Sequence, residues 1–245
     1  MDSKQFKARR LAFLFISFII FTGCTEKQNT FQYDWQGHDG SDIIGSGFLA
    51  KNKQDWHVND GRLETTFNAK ERMRMVFLEN RKIDEPFEPW SLSVEAGWQD
   101  TGNISHTDGN RIGLLIGIPD NMPNQESGFF FGVETSGKII IKNLEKSKVQ
   151  ELTSLENTLP LPDSFLLTLT VKYENNNANM LFEVKSIDQH ETYAQIVWES
   201  KAYKTQGNIA LVADPNTPQT FRGCWFNNFS IVGNSIASKN IYTTS

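Results

Sequence analysis

The amino-acid sequence predicts an all-β fold, specifically a two-sheet antiparallel β-sandwich of the jelly-roll type. Three observations lead to this prediction: the apolar residues come in short runs, Gly, Asn, Asp and Pro separate the runs, and several runs alternate apolar with polar residues. Alternation with a period of two places one face of a strand in a core and the other face in solvent. Many short strands with turn residues between them are typical of antiparallel sandwiches and barrels, not of parallel α/β sheets.

Thirteen segments have the pattern of strands, and alternation is clearest in Phe165–Tyr173. No segment shows convincing helical periodicity; Glu145–Glu156 is the best candidate, and a polar excursion of the chain fits it equally well. No linker rich in Pro, Ser or Gly divides the chain, so we predict one domain over residues 31–235 and a tail over 236–245. The predicted strands are Phe48–Ala50, Trp56–Val58, Arg62–Thr66, Arg72–Leu78, Trp90–Trp98, Arg111–Ile118, Gly128–Glu134, Lys138–Lys142, Phe165–Tyr173, Met180–Lys185, Tyr193–Glu199, Asn208–Val212 and Trp225–Val232.

Composition excludes several classes of protein. The chain is 38% hydrophobic and 22% charged, which is too apolar and too weakly charged for a disordered protein. The two cysteines are too few for a disulfide scaffold or a cysteine-built zinc array. A net charge of −5 argues against a sequence-independent nucleic-acid binder, which needs a basic surface to meet phosphates.

The amino terminus predicts export. Basic residues precede the apolar run Leu11–Phe21, which is about half as long as the ~20 residues that a membrane-spanning helix needs. A basic segment, a short apolar segment and small residues at its end are typical of a secretory signal, here residues 1–23. The end of this segment, Phe21-Thr22-Gly23-Cys24, resembles the lipobox of bacterial lipoproteins.

The lipobox resemblance implies that Cys24 becomes the first residue of the mature chain and carries a lipid. Residues 24–30 would then form a short tether, and the lipid would be the protein's one attachment to a membrane. We therefore expect a location in the cell envelope, either periplasmic or on the outer surface. A plain signal peptide with an incidental cysteine is the alternative. With Cys24 acylated, Cys224 has no partner, and we predict that it is a small buried hydrophobic residue.

Three stretches resemble the concanavalin A-like lectin and glucanase superfamily, especially its laminin-G-like members. They are the segment Trp56–Leu63 with its Asp-Gly turn, the segment Gly207–Val212 and the closing aromatic segment Trp225–Ile231. The middle of the chain, Val94–Trp98 followed by Asn110–Gly117, is similar to the sandwich module in front of some alkaline-phosphatase-D-type enzymes. The resemblance implies the same two-sheet sandwich.

Many members of this superfamily hold a structural calcium ion partly through an aspartate in the closing segment. The corresponding positions here are Asn227 and Asn228. Because the loss of a carboxylate weakens a site for a hard cation, we predict no cofactor, with calcium as the alternative.

Glycosidases of the superfamily carry two catalytic carboxylates at alternate positions of one strand, and this sequence has no such stretch. Glu95 and Glu134 could face one groove from neighbouring strands with Arg111 between them, although solvated outward positions are the simpler interpretation. The four histidines lack metal-ligand spacing, and the sequence contains neither a Gly-x-Ser-x-Gly elbow nor a phosphate-binding Gly-rich loop.

Sugar sites combine aromatic faces with amide and carboxylate groups. The polar loop 99–110 lies between two strong strands, where binding loops often occur. We expect Trp56 and Trp225 to belong to the core. The aromatic candidates are Trp35, Trp90, Trp98 and Trp198, and their polar neighbours are Glu95, Asn103, Asp108, Asn110 and Arg111.

From these candidates we predict a ligand-binding set headed by Trp98, Arg111 and Glu95 and completed by Glu134 and Asn110. The leading hypothesis is a lipid-anchored sandwich that binds glycan or a cell-surface polymer without catalysis. One rival is a saccharide hydrolase with an atypical carboxylate pair. The other rival is a structural or assembly lipoprotein that binds another protein.

Overall fold

A computed structural model describes residues 29–40, 44–65, 73–85, 87–99, 109–120, 127–145, 148–156, 161–215 and 223–238. Within these ranges the chain forms 17 strands and two short 3₁₀ helices, Lys53–Asp55 and Ala202–Thr205. No helix in the described ranges is long and apolar enough to cross a membrane. The strands are β1 Thr30–Tyr33, β2 Phe48–Ala50, β3 Trp56–Asn59, β4 Arg62–Thr65, β5 Arg74–Leu78, β6 Arg81–Ile83, β7 Trp90–Trp98, β8 Arg111–Ile118, β9 Gly128–Glu134, β10 Ile139–Glu145, β11 Lys148–Leu155, β12 Ser164–Glu174, β13 Asn177–Lys185, β14 Thr192–Lys201, β15 Asn208–Asp214, β16 Cys224–Gly233 and β17 Ile236–Ser238.

Two large antiparallel sheets contain 15 of these strands. The first sheet has the order β14-β13-β12-β7-β16-β4-β3, with β1 also paired to β16. The second sheet has the order β11-β10-β9-β8-β15-β5-β2, and β17 pairs with β6 as a small separate ribbon. Strands distant in sequence are neighbours in both sheets, as in a jelly roll. This arrangement confirms the predicted all-β sandwich.

Each of the thirteen predicted segments contains a strand, and four strands were not predicted: β1, β6, β11 and β17. β11 lies within the segment that offered a helix or a polar excursion, and both alternatives are wrong. This segment pairs with β10 from Ile139↔Leu155 to Glu145↔Lys148. It is an edge strand, so its sequence lacks the apolar run that marks strands buried on both sides.

The main core fills the space between the two sheets. On the first sheet, the inward residues of β12 are Phe165, Leu167, Leu169 and Val171, and each is fully buried. Burial of large aliphatic and aromatic side chains contributes about 1.5–3 kcal/mol each. Cys224 also lies in this core, as predicted, and burial raises the pKa of its thiol to about 12, which makes it unreactive.

A second apolar cluster covers the outer face of the second sheet. It alternates along the strands with the residues of the main core, and its members are themselves buried. A strand segment buried on both faces has a continuous apolar sequence, as in residues 129–131 of β9 and 139–141 of β10. The middle of this outer face is therefore filled by side chains and is not an open groove. The cluster includes Met75, Phe77, Leu115, Phe130, Ile140 and Val212.

A β-bulge in β16 moves Trp225 out of the space between the sheets, where the alternation predicted it, although the residue is buried with only 6% of its surface exposed. The register of β16 against β7 shifts between Asn227 and Ser230, and Asn228 has a positive φ of 46°. The extra residue reverses the alternation, so Phe226 before the bulge and Phe229 after it both point into the core. Trp225 consequently lies on the outer face of the first sheet.

Candidate binding site

Two of the predicted site residues meet on the outer face of the second sheet. Arg111 on β8 is paired in register with Glu134 on β9 and with Asp214 on β15. The Arg111 Nε atom donates to Glu134 Oε1 at 2.9 Å, and Nη1 donates to Asp214 Oδ2 at 3.1 Å. The buried residue Asn110 precedes this row, and its carbonyl oxygen accepts the backbone N–H of Thr135.

The charged side chains of this row, Arg111, Glu134 and Asp214, are paired with one another. Burial disfavours the charged guanidinium, but the hydrogen bond to Glu134 and the charge of Asp214 outweigh that effect and raise the pKa of Arg111. Lys142 lies nearby on β10, and burial together with the charge of Arg111 lowers its pKa. Because two carboxylates already occupy Arg111, the row stabilises the sheet and does not offer an open binding fork.

The structure separates Glu95 from Glu134. Glu95 lies on β7 in the first sheet, where its strand pairs with β12 and β16, whereas Glu134 lies on β9 in the second sheet. Both residues point outward, on opposite faces of a sandwich whose sheets pack about 10 Å apart. The alternative of one groove that holds both carboxylates on neighbouring strands is therefore wrong, and the outward positions agree with the simpler interpretation.

The tryptophan candidates pack on the core. Trp35 and Trp90 are buried, and their indole N–H groups donate to the Ile44 carbonyl and the Tyr173 hydroxyl. Trp98 leaves only 5% of its surface exposed, and Trp198 is half-buried against the core at the β14 edge. Cys24, Asn103 and Asp108 lie outside the described residues.

A concave site of about 440 Å³ opens at one end of the sandwich, where the second 3₁₀ helix (Ala202–Thr205) passes the ends of β8, β9 and β10. We call it the end pocket. Its most exposed aromatic side chain is Tyr203, with 66% of its surface accessible. The polar side chains around it come from β6, the turn after β8, the end of β10, the 3₁₀ helix and the residue that follows this helix. They are Lys82, Asp120, Asn143, Glu145, Lys204 and Gln206.

A bulge in β8 lets the 3₁₀ helix approach the sheet. Asn208 pairs with Ile118 and Ala210 pairs with Leu115, so Ile116 and Gly117 together face one residue of β15. Gly117 has a φ of 71°, and a methyl group on it would lie 2.3 Å from the carbonyl oxygen of Lys204. Only glycine fits this position, which brings the helix against the end of the sheet.

Buried hydrogen bonds hold the helix from below. The Trp90 Nε1–H donates to the Tyr173 hydroxyl at 2.8 Å, and this hydroxyl shares a hydrogen bond of 3.0 Å with Thr205 Oγ1. The Thr205 hydroxyl lies 2.7 Å from the Ala202 carbonyl oxygen. Burial raises the pKa of Tyr173, so its hydroxyl remains protonated. The network fixes the backbone that carries Tyr203.

We expect Tyr173→Phe to lower the free energy of unfolding by about 1–3 kcal/mol, because it leaves the buried Trp90 N–H without an acceptor. Urea unfolding monitored by fluorescence measures this change. Tyr193→Phe is a matched control, since Tyr193 is half-buried and no hydroxyl hydrogen bond is found for it in the part of the chain that the structure describes. Equal stability of the two variants would contradict the role of the network.

The charges of the end pocket are arranged in pairs. Lys82 Nζ lies 2.9 Å from Asp120 Oδ2 and 3.1 Å from Asp84 Oδ1. Hydrogen bonds to Asp120 and Asp84 raise the pKa of Lys82, so the ammonium group stays charged at neutral pH. The Asn143 amide donates to Glu145 Oε1 at 3.0 Å. The pocket therefore presents fixed donors and acceptors beside an exposed ring.

Asn227 and Asn228, which would hold calcium in the alternative considered from the sequence, do not fit a hard cation. Asn227 and Asn228 form the bulge of β16, and Asn227 contributes one buried carbonyl oxygen without a hydrogen-bond partner. Calcium takes six to eight oxygen ligands, usually with several carboxylates. Among the described residues no three Asp, Glu, His or Cys side chains come together as a metal site.

Sequence reasoning missed the end pocket because its residues come from five separate segments. Tyr203 follows β14 in a polar stretch, and Lys82, Asn143 and Gln206 have no motif in common. The available signal was Gly117 within the apolar β8 run, because glycine inside a strand often marks a bulge.

A scan against protein-family models and a search of curated proteins find no match to this sequence. Solved structures do match. Lectin I from Ulex europaeus, in complex with the methyl glycoside of α-L-fucose, has a TM-score of 0.57 and 9% identity, covering 84% of this chain and 98% of the lectin. The CBM2 module of the evolved Dit of Lactobacillus casei BL23 phage J-1 has a TM-score of 0.53 and 9% identity, covering 85% and 98%.

Carbohydrate-binding module CBM66 from Bacillus subtilis has a TM-score of 0.50 and 10% identity, covering 75% of this chain and 94% of the module. At these identities the similarity concerns the fold. The sheet topology and these matches together show that the chain has the concanavalin A-like β-sandwich fold.

Proposed function

We propose that this protein is a carbohydrate-binding β-sandwich that holds a saccharide in the end pocket. The observation that carries the proposal is the exposed ring of Tyr203 beside the polar side chains of Lys82, Asp120, Asn143 and Gln206. An aromatic face stacks on the apolar face of a sugar ring, while amide, carboxylate and ammonium groups bond to its hydroxyls. The pocket volume of about 440 Å³ lies within the range of small-ligand sites.

The comparisons support this proposal without identifying the ligand. The Ulex europaeus lectin binds a fucoside in its solved structure, and the Bacillus subtilis module is described as carbohydrate-binding. This chain has the fold of both proteins but shares few residues with them, so its sugar has to be found by experiment.

Removal of the Tyr203 ring tests the proposal. A glycan array with the wild-type protein identifies the ligand, and titration calorimetry then measures its Kd. We expect Tyr203→Ala to weaken binding about tenfold or more, which corresponds to about 1.4 kcal/mol.

Phe87→Ala is the matched control, because Phe87 is an equally exposed aromatic residue (67%) that does not line the pocket. An unchanged Kd for Tyr203→Ala would refute the site. An empty array together with co-purification of one envelope protein would favour the assembly-lipoprotein alternative.

We further propose that the protein binds saccharide without cleaving it. The separation of Glu95 and Glu134 onto different sheets supports this part of the proposal, since a glycosidase places both carboxylates around one scissile bond, within about 10 Å of each other. Incubation with the glycan from the array should release no reducing ends. Release that disappears in Glu95→Gln or Glu134→Gln while binding persists would instead establish the hydrolase.

The proposed location is the cell envelope, through a lipid on Cys24. β1 begins at Thr30, and the Asn29 carbonyl accepts the backbone N–H of Gly233. Six residues of extended chain span at most about 20 Å, so the sandwich would lie close to its membrane. Mass spectrometry of the mature protein should find an acylated Cys24 at the amino terminus. An uncleaved and unmodified terminus would refute the anchor.

A further inference from the structure

A second concave site of about 520 Å³ lies on the outer face of the first sheet, where β4, β7, β12 and β16 meet. We call it the Arg62 pocket. Gly97 near one end of β7 and its neighbour Trp225 on β16 border this pocket. Trp90, at the other end of β7, donates to the hydrogen-bond network below the end pocket. The Arg62 pocket shares no lining residue with the end pocket among the described residues. Its lining includes Arg62, Glu64, Gln99, Asp163, Ser164 and Trp225.

The floor of this pocket is the indole ring of Trp225. The ring lies flat on the backbone of Gly97, where a methyl group would come within 2.4 Å of it. The Arg62 guanidinium lies over the Trp225 ring, with Cζ 4.2 Å from the ring centroid. Stacking holds a guanidinium flat and leaves the N–H groups on its edge directed sideways.

The edge of the Arg62 guanidinium has no acceptor in the described part of the chain, since no hydrogen bond or ion pair of this group is found there. The nearest acid on the same strand, Glu64, is engaged elsewhere. Its Oε2 atom lies 3.0 Å from Gln99 Nε2, 3.2 Å from His57 Nε2 and 3.4 Å from Asn59 Nδ2. A planar fork held on a ring, with no acceptor among the described residues, matches the geometry of a carboxylate.

We propose that the Arg62 pocket binds an acidic saccharide through the carboxylate of a uronic acid residue. The rim favours a saccharide over an acidic peptide. Asp163 supplies carboxylate oxygens that accept hydrogen bonds from sugar hydroxyls, and Ser164 adds a hydroxyl, whereas the ionised side chains of an acidic peptide carry no donor for these acceptors. The site is independent of the end pocket, so either site can exist without the other.

The test is calorimetric titration of the full protein with tri-galacturonic acid. The fully methyl-esterified trimer and a hexa-glutamate peptide are the comparison ligands. The acid should bind, and the ester, which keeps the ring but lacks the charge, should bind at least tenfold more weakly. Arg62→Gln and Arg62→Lys should both lose at least tenfold in affinity for the acid, because lysine supplies a point charge but not a fork.

Arg81→Gln is the matched control, because Arg81 also lies over an aromatic ring, that of Phe31 at 5.4 Å, but donates to the Asn80 carbonyl. This variant and Tyr203→Ala should both bind the acid as the wild type does, which separates this site from the proposed glycan site. An unchanged Tm of Arg62→Gln excludes unfolding as the cause of any loss. The proposal fails if the acid does not bind, if the ester or the peptide binds equally well, or if Arg62→Gln binds normally.

Discussion

Replacement of Arg111 by methionine should lower the free energy of unfolding by about 2–4 kcal/mol, because it leaves two half-buried carboxylates without their cation. Glu134 and Asp214 expose only 14% and 15% of their side chains, and both lie beside Arg111 in register across three strands. Their mutual repulsion and incomplete hydration add to the loss of the two hydrogen bonds. Urea unfolding at neutral pH measures the change.

Two controls separate the ion pairs from other effects of this substitution. Lys138→Met removes a lysine whose partners Glu151 and Glu156 are exposed, and it should cost less than about 1 kcal/mol. The triple variant Arg111→Met, Glu134→Gln, Asp214→Asn should recover most of the lost stability. If Arg111→Met is as stable as the wild type but loses glycan affinity, Arg111 is a ligand contact, as the sequence predicted.

The second large effect concerns the bulge in β16. Phe226→Ala should lower the free energy of unfolding by about 3–5 kcal/mol, since Phe226 is fully buried between the sheets and its removal leaves a cavity. Trp225→Ala should cost clearly less, although tryptophan is larger, because its site on the outer face opens to water once the ring is gone. Urea unfolding of the two variants under identical conditions measures this difference.

The opposite order, with Trp225→Ala more destabilising than Phe226→Ala, would contradict the bulge. Strict alternation along β16, counted back from Ile231 and Phe229, would place Trp225 between the sheets. In that case Trp225→Ala would be the more destabilising of the two substitutions. Retained near-ultraviolet dichroism confirms that each variant is compared as a folded protein.

The strands were predictable where both their length and their apolar pattern were strong. β7 and β12 alternate over nine and eleven residues, and their bounds agree closely with the prediction. β1, β6 and β17 have four residues or fewer, and β11 is an edge strand. Such strands bury little apolar surface, so composition alone does not distinguish them from loops.

The face of the sheet that a residue occupies was less predictable than the strand to which it belongs. One extra residue in β16 reversed the orientation of Trp225, and nothing in the local pattern marks Asn228 as the residue that is added. Arg111 and Glu134 lie together because β8 and β9 are consecutive in sequence and antiparallel. Glu95 could not be placed relative to them, since sheet membership depends on long-range pairing.

The proposed ligand site was not predictable from motifs. Tyr203 and Gln206 meet Lys82 and Asn143 only because β14 of the first sheet connects through the 3₁₀ helix to β15 of the second. The aromatic candidates from the sequence were tryptophans, and large aromatic residues in a sandwich mostly pack inside it. The lipid anchor and the resemblance to the phosphatase-associated module stay predictions.

Chemical-shift mapping tests the central claim, that a saccharide occupies the end pocket, most directly. The ¹H–¹⁵N spectrum of the isotope-labelled protein is recorded during titration with the glycan from the array. The account predicts that the perturbed signals cluster at the backbone amides of Tyr203, Lys204 and Gln206 and at the Asn143 side-chain amide. Perturbations that centre on Arg111 and Glu134, with the end-pocket signals unmoved, would contradict it.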